Sequence, residues 1–337
     1  MMTLVIIAVV VGAGLVWYGK GEFEKPGSNP ADTTFEVKAN TSLNAISFDL
    51  QDRGLVSNGR IFELGVRAAG KDGKLKAGEY AIKAGSTMRA IMDVLASGKS
   101  IMYSMTIPEG WTVAQALAKI GADPVLAGDL PATPPAEGSL VADTILFARG
   151  MTRAGILDKM AADQTALVEK IWATRAADLP VKDINEFVTL ASIVEKETGI
   201  ATERPHVASV FVNRLKKGMK LQSDPTIIYG LFGGAGKPAD RPIYQSDIAK
   251  ETPYNTYVIP GLPPTPIANP GKAALEAVAN PAQTEDLYFV ADGTGGHAFA
   301  STLEEHNANV EKWRAIEKQR AEEKAGAPAN GSGSTNQ

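Results

Sequence analysis

The stretch Asp183–Thr198, which reads DINEFVTLASIVEKET, constrains the fold more than any other part of the chain. On a wheel of about 100° per residue, Ile184, Phe187, Val188, Leu190, Ala191, Ile193 and Val194 fill a broad apolar arc, and Asn185, Thr189, Ser192 and Lys196 share the strip that remains. A helix apolar around so much of its circumference is largely buried, so the rest of the chain must be organised around it. Both ends are signalled. Pro180 precedes the helix, Asp183 can cap it with Glu186 three residues on, and Gly199 stands where a left-handed residue would stop it.

Two carboxylates, Glu195 and Glu197, stand at the C-terminal end of this helix on opposite borders of the apolar arc. Glu197 follows Leu190, Ile193 and Val194 by seven, four and three residues, so its carboxyl should lie against aliphatic side chains and meet the negative end of the helix dipole. Both effects disfavour the anion, which suits an acid that must donate a proton near neutral pH. Glu195 shares the dipole argument and borders Val188, Ala191 and Ser192. Geometry therefore leans towards Glu197 without settling the choice, and a helix-end carboxylate paired with a neighbouring Lys or Arg is the competing reading.

The run ASIVEKETGIATERPHVASVFVNRLKKGMKLQSDPTIIYG, continued by TPYNTYVIPGLPPTPIANPGKAALEAVANP and LYFVADGTGGHAF, resembles the endolytic murein transglycosylases of the MltG or YceG-like family. Several separate motifs agree in order and spacing from about Phe187 to Val310, which a chance hit to one short pattern would not do. The resemblance implies that the second Glu of E-K-E-T, Glu197, is the catalytic acid. It also implies non-hydrolytic cleavage of peptidoglycan glycan strands between N-acetylmuramic acid and N-acetylglucosamine, leaving an anhydromuramyl end and using no cofactor. The rivals are a hydrolytic muramidase, which needs a second carboxylate such as Asp224 or Glu195, and a catalytically silent peptidoglycan-binding scaffold.

At 337 residues the chain can form two or more domains beyond any anchor. Its net charge of −4, with no basic block, argues against nucleic acid as a partner. There are no cysteines, and His206, His297 and His306 lack ligand spacing with one another, so no metal site is expected.

Met1–Tyr18 carries no charged side chain and is long enough to cross a thin or locally adjusted bilayer, so a retained single-pass anchor is expected over residues 1–18 in preference to a cleaved signal peptide. Nothing basic precedes it, while Lys20 and Lys25 follow beside Glu22 and Glu24. The positive-inside rule thus does not support the N-in topology that the resemblance implies. Residues 19–34, rich in Gly, Pro, Ser, Asn and Asp, read as a flexible linker. A weak internal repeat follows: VKANTSLNAISFDL from Val37, IKAGSTMRAIMDVL from Ile82 and IPEGWTVAQAL from Ile107, each reading as strand, turn, helix. Residues 35–100 resemble a LysM-like module in which GEYAI, Gly78–Ile82, pairs with Phe35–Ala39. Glycan binding and plain packing are equally open for it.

The catalytic domain is expected over residues 101–319, with its core motifs in 183–310. Helices are expected near Thr112–Ile120 and Thr152–Ala177. Family members carry an E-G-x-x-x-P-D-T-Y-like segment, and here Glu137 to Ile145 lacks its Pro and its aromatic, which leaves a substrate role for that loop in doubt. Thr202–Lys217 should form a helix whose Arg214, Lys216 and Lys217 complement its dipole. Asp224-Pro225 reads as an N-cap with Pro at the first helical position, opening a helix through Tyr229, although Asp224 could instead be a second catalytic carboxylate. Tyr254-Asn255-Thr256-Tyr257 reads as a polar-aromatic strand entering a Pro-rich loop. Tyrosine faces suit sugar C–H groups and an Asn amide can read an N-acetyl group, the alternative being a buried Tyr ladder. Asn269-Pro270-Gly271 caps a helix to Val278, and Leu287–Ala291 with His297–Ala300 forms a hairpin. Ser301–Gln319 is a last helix with Ser301 and Glu304 as a capping box, and residues 320–337 read as a disordered tail.

The expected fold is α+β: N-terminal transmembrane helix, LysM-like module and mixed catalytic domain. Glu197 is the expected catalytic residue, and Gln222, Asp224, Tyr254, Asn255, Thr256, Tyr257 and His297 are candidate substrate-binding residues. The expected partners are peptidoglycan glycan strands, the membrane and, by the resemblance, peptidoglycan synthases. The expected location is the cytoplasmic membrane, with the catalytic part extracytoplasmic.

Overall fold

The computed structural model describes residues 1–326. In chain order its elements are α1 (Met2–Glu24), β1 (Thr33–Val37), α2 (Leu43–Asp52), α3 (Gly59–Ala68), β2 (Gly78–Ile82), α4 (Met88–Ser97), β3 (Met102–Thr106), α5 (Val113–Ala122) and β4 (Thr144–Ala148). There follow α6 (Arg153–Trp172), α7 (Ile184–Glu197), α8 (Arg204–Lys216), α9 (Asp224–Phe232), α10 (Gln245–Ile248), α11 (Lys272–Ala279), β5 (Tyr288–Ala291), β6 (His297–Ala300) and α12 (Leu303–Gly326). The strands pair two by two, β1 with β2, β3 with β4 and β5 with β6. The class is α+β, with most of the burial carried by helices. The chain forms two compact units: residues 1–105, 123–129 and 145–156, and residues 106–122, 130–144 and 157 onward. Its path is therefore interleaved where a single boundary after residue 100 was expected.

In the first unit β1 and β2 are antiparallel with Phe35 opposite Tyr80, and β1 begins at Thr33, two residues ahead of the expected Phe35–Ala39. Alternation turns Phe35, Val37, Tyr80 and Ile82 inward onto Ile46, Leu50, Phe62, Val66, Ile91 and Leu95. The sequence repeat has a backbone cause. Asn40, Gly85 and Gly110 each take a left-handed conformation (φ 59°, 66° and 73°), and two residues later Ser42, Thr87 and Thr112 accept the backbone N–H of Ala45, Ala90 and Gln115. Each turn thus aims the chain and supplies the unpaired N–H donors of the helix start with an acceptor. Residues 19–34 are not a free linker. Helix α1 runs on to Glu24, Phe23 is buried, and Gly27 and Asn29 hydrogen-bond to the backbone of residues 83–85.

The second unit is built around α7, whose Phe187, Leu190, Ala191, Ile193 and Val194 are fully buried. Helices α8 and α11 pack on it, with Leu275 and Val278 from one side and Val207 and Phe211 from the other in the same core. Asp183 caps it as expected, accepting from Glu186 N at 2.9 Å. Its other end differs from expectation: Thr198 turns extended (φ −139°, ψ 131°), and Gly199 is not left-handed. Tyr254–Tyr257 lies in successive turns and not in a strand, because its backbone is held by side chains of Thr252, Asn255 and Thr226. The β5–β6 hairpin forms with Phe289 opposite Phe299. Helix α6 stops at Trp172, short of Ala177. The box at the start of α12 is Thr302 with Glu305, one residue beyond the expected pair. That helix extends through residues 320–326 of the expected tail, and residues 327–337 lie outside the described residues.

Candidate active site

Glu197 is the last residue of α7, where the final helix carbonyls run out of amide partners and the local potential is negative. Part of the residue stays open to solvent while its carboxyl lies deep among protein atoms. The Ser223 hydroxyl donates to its Oε1 at 2.5 Å. Its pKa is pushed up to about 7, first by burial; the Ser223 hydrogen bond opposes the rise, the charge of Asp224 adds to it and the charge of Arg214 opposes it. Among the described residues no ion pair neutralises this carboxyl, and its second oxygen has no protein donor. A carboxyl half-protonated at neutral pH can give a proton and take one back.

Ser223 is fully buried and held from every side. Its N–H donates to Thr256 Oγ1 at 2.9 Å, and its carbonyl accepts from Thr226 Oγ1 at 2.6 Å. The two threonine hydroxyls are 2.9 Å apart, and Thr256 N donates to Thr226 Oγ1. Just before Ser223 the chain makes a left-handed turn at Gln222 (φ 53°). Arg214 fastens that turn: its guanidinium donates to the carbonyls of Lys220, Leu221 and Leu287 and to Gln222 Oε1. Arg214 was read as a dipole partner of its own helix; in the fold its charge is buried on loop carbonyls instead, and burial lowers its pKa. Asp224 is the first residue of α9, with Ser223 at the N-cap position, and its Oδ1 accepts from Tyr257 Oη at 2.7 Å. Burial, followed by the Asp224 hydrogen bond, raises the pKa of Tyr257.

Glu195 has a different setting. Its side chain is almost wholly covered, and Oε2 accepts from Gly271 N, the N-cap of α11, at 3.0 Å while Oε1 lies 3.6 Å from the Arg204 guanidinium. Burial raises its pKa, opposed by the Gly271 hydrogen bond and the Arg204 charge. Glu195 therefore joins α7 to α11. Glu137, in the segment that departs from the family pattern, is likewise structural: it accepts Val113 N at the start of α5 and the Tyr229 hydroxyl.

The structure thus gathers Glu197, Gln222, Asp224, Thr256 and Tyr257 into one network through Ser223. Thr256 is fully buried in that network, as scaffold and not as a sugar-facing group. Asn255 departs further from expectation. It is buried, its amide donates to the carbonyls of Ile248 and Lys250, and its Oδ1 accepts Tyr257 N, so no atom remains to read an N-acetyl group. Tyr254 belongs to a neighbouring group, packed on Tyr229 and bonded to Thr265. His297 is held by Glu203, which accepts from its backbone N–H and lies 2.8 Å from its Nδ1, apart from the Ser223 network. Ser223, Thr226 and Arg214 were missed as site residues; the one available signal was Ser223 directly before the Asp-Pro helix start.

The YceG-like family model matches residues 35–312. The chain belongs to that family. Curated relatives include the endolytic murein transglycosylase of Bacillus subtilis (strain 168), 31% identical with 90% of this chain and 91% of the relative covered. The endolytic murein transglycosylase of Streptococcus pneumoniae serotype 2 is 28% identical over 82% of this chain, which spans 57% of that relative. Among solved structures, a yceG-like protein of Listeria monocytogenes is 29% identical, with a TM-score of 0.51 over 82% of this chain and 98% of its own.

Proposed function

We propose that this chain is a lytic transglycosylase that cuts peptidoglycan glycan strands internally, between N-acetylmuramic acid and N-acetylglucosamine. What carries this reading is one carboxyl, Glu197, poised at a pKa of about 7 with one oxygen fixed by Ser223 and the other unengaged. Protonated Glu197 donates to the glycosidic oxygen as the bond to the anomeric carbon breaks. The resulting carboxylate takes the proton of the muramyl C6 hydroxyl as that oxygen bonds to the anomeric carbon. The proton returns to Glu197, the substrate supplies the nucleophile, and the product is an anhydromuramyl end.

Gln222, Asp224 and Tyr257 face the same network and are proposed to bind saccharide, with Tyr254 and His297 further out. Residues 35–100 are proposed as a LysM-like module. The apolar α1 is proposed as a single-pass anchor, with everything after it extracytoplasmic, and termination of nascent strands beside membrane synthases is the proposed role. Mass spectrometry of glycan ends after digestion tests the reaction. Anhydro ends are expected; reducing muramyl ends would replace this reading with hydrolysis through a second carboxylate, and uncut strands would leave only binding.

A further inference from the structure

We propose that the first unit lies directly on the lipid surface, held there by the last turn of α1, with the Arg60–Leu64–Arg67 face of α3 against the headgroups. The inference rests on the reading of α1 as a membrane anchor. Residues Met2–Gly19 are uncharged and about 27 Å long at about 1.5 Å per residue, close to the thickness of a bilayer's hydrocarbon. Lys20 is the first charge, so the headgroup layer begins there.

No slack follows. Within the next turn Glu22 accepts from the Ser57 hydroxyl at 3.1 Å, and Glu24 pairs with Arg89 at 2.5 Å. Between them Phe23 is buried against Phe62, under the Arg89 guanidinium. Gly65 admits that ring: a Cβ there would fall 2.2 Å from it. Beyond the helix, Gly27 N donates to Gly85 O, Gly85 N to Asn29 O, the Asn29 amide to Lys83 O, and Asp32 pairs with Lys83. Residues 22–32 are thus sewn to the same unit, which cannot swing away from the bilayer.

The anchor is exposed over residues 1–18 and first covered at Gly19, and Phe23 in its last turn sits at Gly65, so α3 lies beside the point where the chain enters the headgroup layer. On that face stands Leu64, 64% exposed and, of the described residues between Thr33 and Ser97, the only large apolar side chain so exposed. Arg60 and Arg67 flank it one turn away on either side, and the three border a depression of about 310 Å³ with Asn44, Phe48 and Glu63, whose carboxylate pairs with Arg67 at 2.7 Å. Arg60 has no acidic partner among the described residues. An exposed apolar side chain one turn from the unpaired Arg60 guanidinium fits the boundary between acyl chains and phosphates.

The chain has no cysteine, so single-cysteine probes report one position each. The full-length protein would be placed in nanodiscs containing anionic phospholipid and headgroup-quencher lipid, with an environment-sensitive fluorophore at Leu64→Cys or at Lys74→Cys. The Leu64 probe is expected to lose most of its emission and the Lys74 probe little. Adding Phe23→Ala should restore emission at position 64 while the protein stays in the disc. Incorporation with neither probe quenched overturns the proposal alone. Failure to incorporate overturns the anchor reading, and the proposal with it.

Discussion

Glu197→Gln tests the strained carboxyl through stability as well as through rate. Burial holds the pKa at about 7 against an ordinary 4.5. Between these values the folded state keeps a proton that the unfolded state has released. Stability therefore falls as pH rises through this window and levels off above it. At roughly 1.36 kcal/mol per pH unit, the carboxyl costs the fold about 3 kcal/mol at pH 8 that it does not cost at pH 4. Glutamine carries neither charge nor proton and can still accept from Ser223, so the variant escapes this cost. Glu137 and Glu195 also have raised pKa values, but they are present in both proteins and cancel in the difference. For a unit of this size about 3 kcal/mol corresponds to roughly 6–12 °C in Tm. Calorimetry of both proteins in detergent at pH 4, 6 and 8 should show nearly equal Tm at pH 4 and a variant advantage that opens to that size by pH 8. Turnover of the variant should fall by about a hundredfold or more. A Tm difference that stays flat across this range would refute the assignment of a buried, proton-holding carboxyl.

Ser223→Ala removes the donor that favours the anion, so the alkaline limb of the pH–rate profile should move up, with turnover roughly tenfold lower, about the worth of one hydrogen bond to a charged group; an unmoved limb would separate Ser223 from the acid. Asp224→Asn deletes a negative charge that raises the Glu197 pKa, so the limb should move down while anhydro ends persist; loss of all product would favour a two-carboxylate hydrolysis. Glu195→Gln should keep most activity in the same glycan-end assay and at most lose a little stability, because its amide oxygen can still accept from Gly271 N and only the Arg204 pair is lost.

Local chemistry carried the helices and caps into the sequence reading: the apolar arc of α7, the Asp183 cap and the 288–300 hairpin all follow from spacing and turn residues. What escaped depends on partners far away in sequence. Residues 19–34 have the composition of a linker, and nothing in them shows that Phe23 fills the gap left at Gly65 or that Asn29 meets Lys83. Asn255 has the side chain a sugar site would want, but the loop around it needed three donors and acceptors of its own and took them from that amide. Arg214 sits at a helix end where a dipole role is the ordinary one, and only the fold brings the carbonyls of Leu221 and Leu287 to it.

The two glutamates make the same point about catalysis. They share a helix end, a dipole and a raised pKa, so no intra-helical argument can rank them. Tertiary structure separates them by what each carboxyl is given to hold. Glu195 receives a backbone N–H and a guanidinium, groups that favour a permanent anion and tie down both its oxygens. Glu197 receives a single neutral hydroxyl on one oxygen and a repelling Asp224 nearby, so neither protonation state is locked. That hydroxyl is itself immobilised by Thr226, Thr256 and the Arg214-fastened turn at Gln222. Its oxygen is therefore fixed in place while the proton on the other can move, which is what a residue serving in turn as acid and base requires.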